Sequence, residues 1–271
     1  AAPALANAAR LAATRAANAE QRVGDTPAPV DVTQAPAAPV ATLGLLLMAA
    51  ALGAFLAAFA LPGGLPGLSA SLLGPEPKAY WYLARSTGFV AYGLLWLSMI
   101  LGLMMSTKLA RRWPGGPVTF ALHQHASILG LAVGLFHALI LLGDRYSNYT
   151  LGQILIPFAN PGSTSLWVGL GQVGLYLMGI VGLSFYVRPL IGRPVWRLIH
   201  VISFVIFGMV LCHGVLSGSD TGTVWAQALY WLSGGSVLFL TLDRVLAKVL
   251  LPATAARPAS APPVRERLVE A

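Results

Sequence analysis

The sequence is poor in cysteine, histidine and charge. Its 271 residues include a single cysteine, Cys212, so no disulfide can form within the chain. Cys212 precedes His213 but belongs to no C-x-x-C-H motif, which excludes a covalently attached c-type heme. Charged residues make up only 10% of the chain. This is well below the usual fraction for a soluble globular domain.

Apolar residues take the place of the missing charges. Hydrophobic residues make up 56% of the chain, and its mean hydropathy is +0.72. Several apolar runs exceed the roughly 20 residues that a helix needs to cross a bilayer. We therefore expect an all-α polytopic membrane bundle with about six transmembrane helices, at residues 43–61, 80–106, 118–143, 164–187, 195–217 and 224–250.

The basic residues are unevenly distributed. The chain has 17 Lys and Arg against 9 Asp and Glu, a net charge of +8. With six spans, all but Lys78, Arg85 and Arg145 fall on one side of the membrane. The positive-inside rule then places both termini in the cytoplasm. We expect the chain to lie in the inner (plasma) membrane of the cell. This rule explains the basic balance, so we expect no nucleic-acid partner.

Composition divides the chain into four parts. Residues 1–42 are an Ala/Pro-rich N-terminal extension. Residues 43–79 are expected to form a peripheral first transmembrane helix and an outer loop, and residues 80–251 the domain that carries the histidines. The proline-containing tail, 252–271, is expected to be disordered.

Four of the five histidines form two pairs inside apolar spans. His137 follows His123 by fourteen positions, and His213 follows His200 by thirteen. At about 1.5 Å per residue, the first separation covers about 21 Å of a hydrocarbon core roughly 30 Å thick. Ionisable side chains at this depth are costly and usually functional, and imidazole is a heme ligand. We expect His123 and His200 to bind an inner heme b, and His137 and His213 an outer one.

Helix geometry supports the first pair better than the second. Fourteen steps of about 100° bring His137 to within about 40° of His123, whereas thirteen leave His213 about 140° from His200. His125 lies about 200° from His123, so we expect it to form a hydrogen bond outside the heme site. Helix–helix hydrogen bonding is the alternative for a lone membrane histidine. Zinc is a weaker alternative because each depth offers two histidines, fewer than the four ligands of a structural zinc site.

Other polar and small residues lie near the predicted hemes. Arg85 either binds a propionate of the outer heme or extends to the interface, and both alternatives stay open. Arg197 is a candidate for the inner propionates, although the positive-inside rule alone explains it. Asp220 is expected to cap the segment that follows. Glycines in the third and fourth spans are expected to allow close helix packing, at Gly130, Gly134, Gly169, Gly171, Gly174, Gly179 and Gly182.

Three segments carry a resemblance to a known family: Tyr82–Gly88 (YLARSTG), Pro194–His200 (PVWRLIH) and His213–Asp220 (HGVLSGSD). With the two histidine spacings, residues 80–243 resemble the ferric reductase-like transmembrane domain of ferric reductases and NADPH oxidases. The resemblance implies two b hemes that move electrons across the membrane. Larger members continue into FAD and NADPH domains, but only about twenty residues follow Leu251 here.

We therefore expect an electron-transfer component of an oxidoreductase, without its own flavin or NADPH site and without a catalytic residue. Its donor would be a separate flavoprotein, a quinol or another redox subunit, with a separate acceptor and other membrane subunits as partners. Two alternatives stay open: a quinol-linked cytochrome b subunit, and a heme-free structural or assembly subunit whose histidines only bridge helices. The lack of acidic residues in the span interiors disfavours a transporter.

Overall fold

The fold is all-helical in the part of the chain that the structure describes. The computed structural model describes residues 38–67, 79–107, 109–111, 113–145 and 147–250. No β-strand occurs among these residues, so the predicted all-α class is confirmed. Most of the Ala/Pro-rich extension and the whole tail 252–271 lie outside the described residues.

Five helices are long and apolar enough to cross a membrane. The helices in chain order are α1 (Val40–Gly64, with a π-helical turn at Leu56–Ala60), α2 (Ala79–Ser106), α3 (Gly116–Ile140, extended by a 3-10 turn to Gly143), α4 (Leu151–Leu155), α5 (Ser165–Ser184), α6 (Arg188–Ser217) and α7 (Val224–Leu250). The five candidates are α1, α2, α3, α5 and α6. They coincide with five of the six predicted spans.

Helix α7 occupies the position of the sixth predicted span. It is a continuous helix over Val224–Leu250, but it is not among the five candidates. Its last turns, which the predicted topology places on the cytoplasmic side, contain Asp243, Arg244 and Lys248. These residues lower its apolar content. A sixth crossing and the location of the termini therefore remain predictions.

Helix α6 consists of two segments joined by a kink. Gly192 has φ 77° and ψ 161°, a left-handed φ that glycine adopts without steric cost, and Pro194 follows it. The membrane-crossing part therefore restarts near the predicted residue 195. This kink separates the short segment at Arg188 from the segment that carries His200 and His213.

The helices pack as two close pairs with α1 and α7 at the periphery. Helix α2 packs along α3, and α5 packs along α6, while α1 lies against α3 and α7 against α2. Small residues permit this approach: a Cβ on Gly130 would lie 3.3 Å from Leu94 Cβ, and one on Gly174 would lie 3.0 Å from Val210 Cγ2. In contrast, a Cβ on Gly179 or Gly182 would meet nothing within 4 Å. The prediction of close packing was wrong at those two positions.

Polar side chains fasten α7 to α2 inside an otherwise apolar cluster. The hydroxyls of Tyr92 and Ser233 are hydrogen-bonded to each other, and Trp96 Nε1 donates to Ser236 Oγ at 2.9 Å. Tyr92 also stacks on Phe207 of α6, with ring centres 6.1 Å apart. These contacts join α2, α6 and α7 around one core.

Candidate functional site: two histidine pairs

The structure brings four histidines together in the two pairs that their depth in the sequence predicts. The ring centres of His123 and His200 are 6.1 Å apart, with the ring planes inclined by 71°. The ring centres of His137 and His213 are 6.3 Å apart, with an inclination of 72°. The two pairs therefore have almost the same geometry. The histidines of α6 are thirteen positions apart and those of α3 fourteen. This difference does not prevent His200 and His213 from each pairing with a histidine of α3.

The paired histidines join two helices that do not pack closely on each other. His123 and His137 belong to α3, and His200 and His213 to α6. Helix α3 packs against α2 and α6 against α5, but α3 and α6 are not among the closely packed pairs of the described chain. The imidazole rings thus extend across a space between two tightly packed helix pairs.

Three of the four rings are oriented by hydrogen bonds to backbone carbonyls of a neighbouring helix. These bonds run from His123 Nδ1 to Ser98 O (2.9 Å), from His137 Nδ1 to Ala84 O (2.6 Å) and from His213 Nδ1 to Trp167 O (3.0 Å). A carbonyl oxygen only accepts, so each Nδ1 carries the proton. In the neutral ring, Nε2 then keeps its lone pair and can bind a metal.

Glycines make room for these rings. A Cβ on Gly88 of α2 would lie 3.0 Å from the ring of His137, and a Cβ on Gly171 of α5 would lie 2.8 Å from the ring of His213. Gly102 is less confined, because its Cβ would lie 3.5 Å from His123. Any larger residue at Gly88 or Gly171 would displace a histidine. The sequence analysis assigned a packing role to Gly171 but none to Gly88 or Gly102.

His200 is held in a different way. Its ring stacks on Trp196, with ring centres 5.1 Å apart and planes inclined by 26°. Trp196 in turn contacts the edge of Phe185, 6.2 Å away, and the guanidinium of Arg188 lies 4.6 Å from the centre of the Phe185 ring. Tyr186 belongs to the same cluster, and burial raises the pKa of its phenol above the usual value, so it stays neutral.

Arg85 follows Ala84, whose carbonyl binds His137, and forms an ion pair with Asp220. Its guanidinium donates two hydrogen bonds to the carboxylate of Asp220, one of them from Nε to Oδ2 at 2.7 Å. It also lies 4.4 Å from the centre of the Trp81 ring. Asp220 was expected to cap a helix, but its carboxylate binds Arg85 instead. This pair was not predicted from the sequence, although both residues lie at the same predicted outer end.

The remaining candidates lie apart from the pairs. Arg197 is exposed one helical turn before His200, and no contact joins it to either histidine pair among the described residues. His125 is also exposed, and its Nδ1 donates to Ala121 O of its own helix at 2.7 Å. His125 therefore forms a hydrogen bond outside the pairs, as expected.

Each pair supplies two imidazoles and no further metal ligand. Among the described residues, no group of three or more His, Cys, Asp or Glu side chains lies close enough to hold a metal ion. A structural zinc site usually has four protein ligands, so neither pair completes one. The arrangement fits a group that needs only two axial ligands from the protein.

The fold and the site together define a helical membrane protein with two histidine pairs between its helices. Comparisons with protein-family models, with curated proteins and with solved structures find no match for this chain.

Proposed function

We propose that this protein is a diheme b-type cytochrome that carries electrons across the membrane between a separate donor and a separate acceptor. The observation that carries the proposal is the distance between paired rings, 6.1 Å at the inner pair and 6.3 Å at the outer pair. Helices α3 and α6 are held on either side of this space by packing on other helices.

The distance agrees with the geometry of two imidazoles bound to opposite faces of one metal ion. A bond from imidazole nitrogen to a metal is about 2.0–2.1 Å, and the ring centre lies about 1.1 Å beyond the nitrogen, which gives about 6.2–6.4 Å between centres. The distance in the His137–His213 pair, 6.3 Å, lies within this range, and that in the His123–His200 pair, 6.1 Å, lies just below it. A hydrogen bond linking two imidazoles directly is an alternative contact, but its N···N distance of about 2.9 Å would bring the ring centres to within about 5.1 Å of each other, which is closer than in either pair.

The hydrogen bonds at Nδ1 support the same proposal. Histidines that bind metals almost always donate their other N–H to a carbonyl or carboxylate, which fixes the tautomer and makes the ligand more basic. His123, His137 and His213 have this arrangement. Heme iron with two histidine ligands carries single electrons without an open position for substrate. The residues of this chain then bind, orient and shield the group.

The topology supports an electron path from one membrane side to the other. The two pairs are separated by about four helical turns, or about 20 Å along the helix axis. With both termini in the cytoplasm of the inner (plasma) membrane, His123 and His200 form the inner pair. Donor and acceptor would then dock on opposite sides. Arg85 would donate hydrogen bonds to an outer propionate from the N–H groups that Asp220 does not occupy. Arg197, which is exposed, would contribute only positive charge near an inner propionate.

The experiment that tests the proposal is a reduced-minus-oxidised optical spectrum of the purified protein with pyridine hemochrome quantitation. We expect about two b hemes per chain with the spectrum of two axial histidines. His137→Ala or His213→Ala should remove the outer heme, and His123→Ala or His200→Ala the inner one.

His125→Ala is the matched control, since it removes an exposed histidine of the same helix. It should retain both hemes. A wild-type protein that contains no heme would refute the proposal and favour a structural subunit whose histidines bridge helices. Equal heme loss in His125→Ala would show that the effect is not specific to the pairs.

A further inference from the structure

The three hydrogen-bonded histidines share one local arrangement. Each ring lies against a carbonyl at position i and a glycine at position i+4 of the neighbouring helix, namely Ala84 with Gly88, Ser98 with Gly102, and Trp167 with Gly171. Positions i and i+4 lie one above the other on the same helix face. The missing Cβ at i+4 therefore lets the ring reach the carbonyl one turn earlier. We call this arrangement the carbonyl–glycine cradle.

The neighbouring helix offers no such cradle to His200. Helices α5 and α6 are consecutive and run in opposite directions, so the level of His200 on α5 falls near Ser184 or Phe185, about four helical turns beyond Gly171. Neither residue is a glycine. Ser184 also donates its hydroxyl to Val181 O at 2.6 Å, which occupies a carbonyl at this level. His200 has no hydrogen-bond partner among the described residues.

His200 is instead supported by Trp196, a residue of its own helix. It lies four residues before His200 on the same helix face and stacks on its ring at 5.1 Å. The Nε1–H of Trp196 is itself buried and finds no partner within the described chain. A buried donor without an acceptor is unfavourable. The contact that the structure shows between Trp196 and His200 is made by the flat indole ring.

We propose that Trp196 is the positioning residue for His200, and that the inner pair is asymmetric, with His123 fixed by hydrogen bonding and His200 fixed by stacking. The inference rests on the proposed heme function. Since His200 has no second anchor, removing the aromatic ring at position 196 should free it from the metal. The same change would leave the outer pair intact, because both of its rings lie in cradles.

Carbon monoxide is the probe, because it binds ferrous heme only where an axial position is open. Wild type should bind none. Trp196→Leu should bind about one carbon monoxide per chain, or lose one of its two hemes. Trp196→Phe keeps a flat ring and removes only the unpartnered N–H, so it should behave as wild type. Trp225→Leu is the matched control, since Trp225 packs against Phe89 in a tilted contact and not against a histidine.

Each outcome decides between the alternatives. If Trp196→Phe opens the site as fully as Trp196→Leu, or if Trp196→Leu matches wild type, the positioning role is refuted while the heme function stands. If wild type itself contains no heme, both the proposed function and this inference fail. Should Trp196→Leu not fold, Phe185→Leu removes the edge support of Trp196. That variant should bind carbon monoxide partially, and wild-type behaviour would contradict the inference.

Discussion

At the scale of single residues, the outer end of the site is stabilised by charge as well as by hydrogen bonds. Arg85 and Asp220 are 135 positions apart in sequence and form a two-pronged ion pair with side-chain exposures of 28% and 14%. Such shielding from water makes the pair stronger than an exposed one. The residue before Arg85, Ala84, supplies the carbonyl that orients His137. Breaking the pair should therefore affect the start of α2 and, through it, the outer histidine.

We expect Asp220→Asn to lower the free energy of unfolding by about 1.5–3 kcal/mol, the usual worth of a hydrogen bond to a charged group. Arg85→Gln should cost a similar amount. Because one partner without the other leaves an unpaired charge, the double variant should cost less than the sum of the two. Reversible unfolding in mixed micelles measures all four proteins. Additive costs would contradict a direct interaction.

Sequence reasoning located the histidines because their scarcity and their depth are visible in the chain itself. It did not find the acceptors of their hydrogen bonds, because these are backbone carbonyls, which every residue has. It also missed the partner of Arg85, since an ion pair between distant ends of two helices depends on how the helices pack. Trp196 was part of the segment Pro194–His200 with no role of its own, yet it stacks on His200.

At the scale of secondary-structure elements, helix α2 serves both pairs with a repeated pattern. The carbonyl–glycine cradles on α2 begin at Ala84 and Ser98, and their separation along the sequence equals that of His123 and His137 on the antiparallel helix α3. Because the two helices have the same rise per residue, equal separations along the sequence place a cradle beside a histidine at both depths. This pattern was present in the sequence but becomes recognisable only when the partner helix is known.

Glycine-to-alanine substitutions should have different effects at the cradles, depending on how close the histidine ring lies to the glycine. A Cβ would lie 2.8 Å from the His213 ring at Gly171 and 3.0 Å from the His137 ring at Gly88, but 3.5 Å from the His123 ring at Gly102. On the proposed function, Gly171→Ala and Gly88→Ala should therefore displace His213 and His137 and lose the heme that this pair would hold. Gly102→Ala should retain both hemes.

The heme content of the purified variants measures this effect, and Gly179→Ala is a control in open space on α5. An alanine there should leave both hemes in place. Full heme retention in Gly171→Ala would mean that the ring of His213 can move away without losing its ligand position. That result would contradict a rigid cradle.

At the scale of the whole molecule, the number of membrane crossings depends on helix α7. This helix buries one stripe against α2, including Ala226, Tyr230, Ser233 and Val237, whose spacing of three and four is that of one helix face. Its opposite side exposes Trp231 and Phe239, at 81% and 69%. An exposed face this apolar is unfavourable in water and favourable against lipid. We therefore expect α7 to cross the membrane although its last turns carry charge.

Single cysteines in a Cys212→Ser background test this topology with a membrane-impermeant maleimide. Ser163→Cys lies in the segment between α4 and α5, and Ser219→Cys in the connection between α6 and α7; both positions are exposed. Both should react in intact cells whose outer barrier is open to the reagent. Ala247→Cys, near the end of α7, should react only after the membrane is permeabilised.

If Ala247→Cys reacts together with Ser219→Cys, then α7 lies on the outer surface, and the two ends of the chain are on opposite sides. The histidine pairs would keep their geometry in that case, because α3 and α6 do not depend on α7 to cross, but the positive-inside argument for a cytoplasmic C-terminus would be wrong.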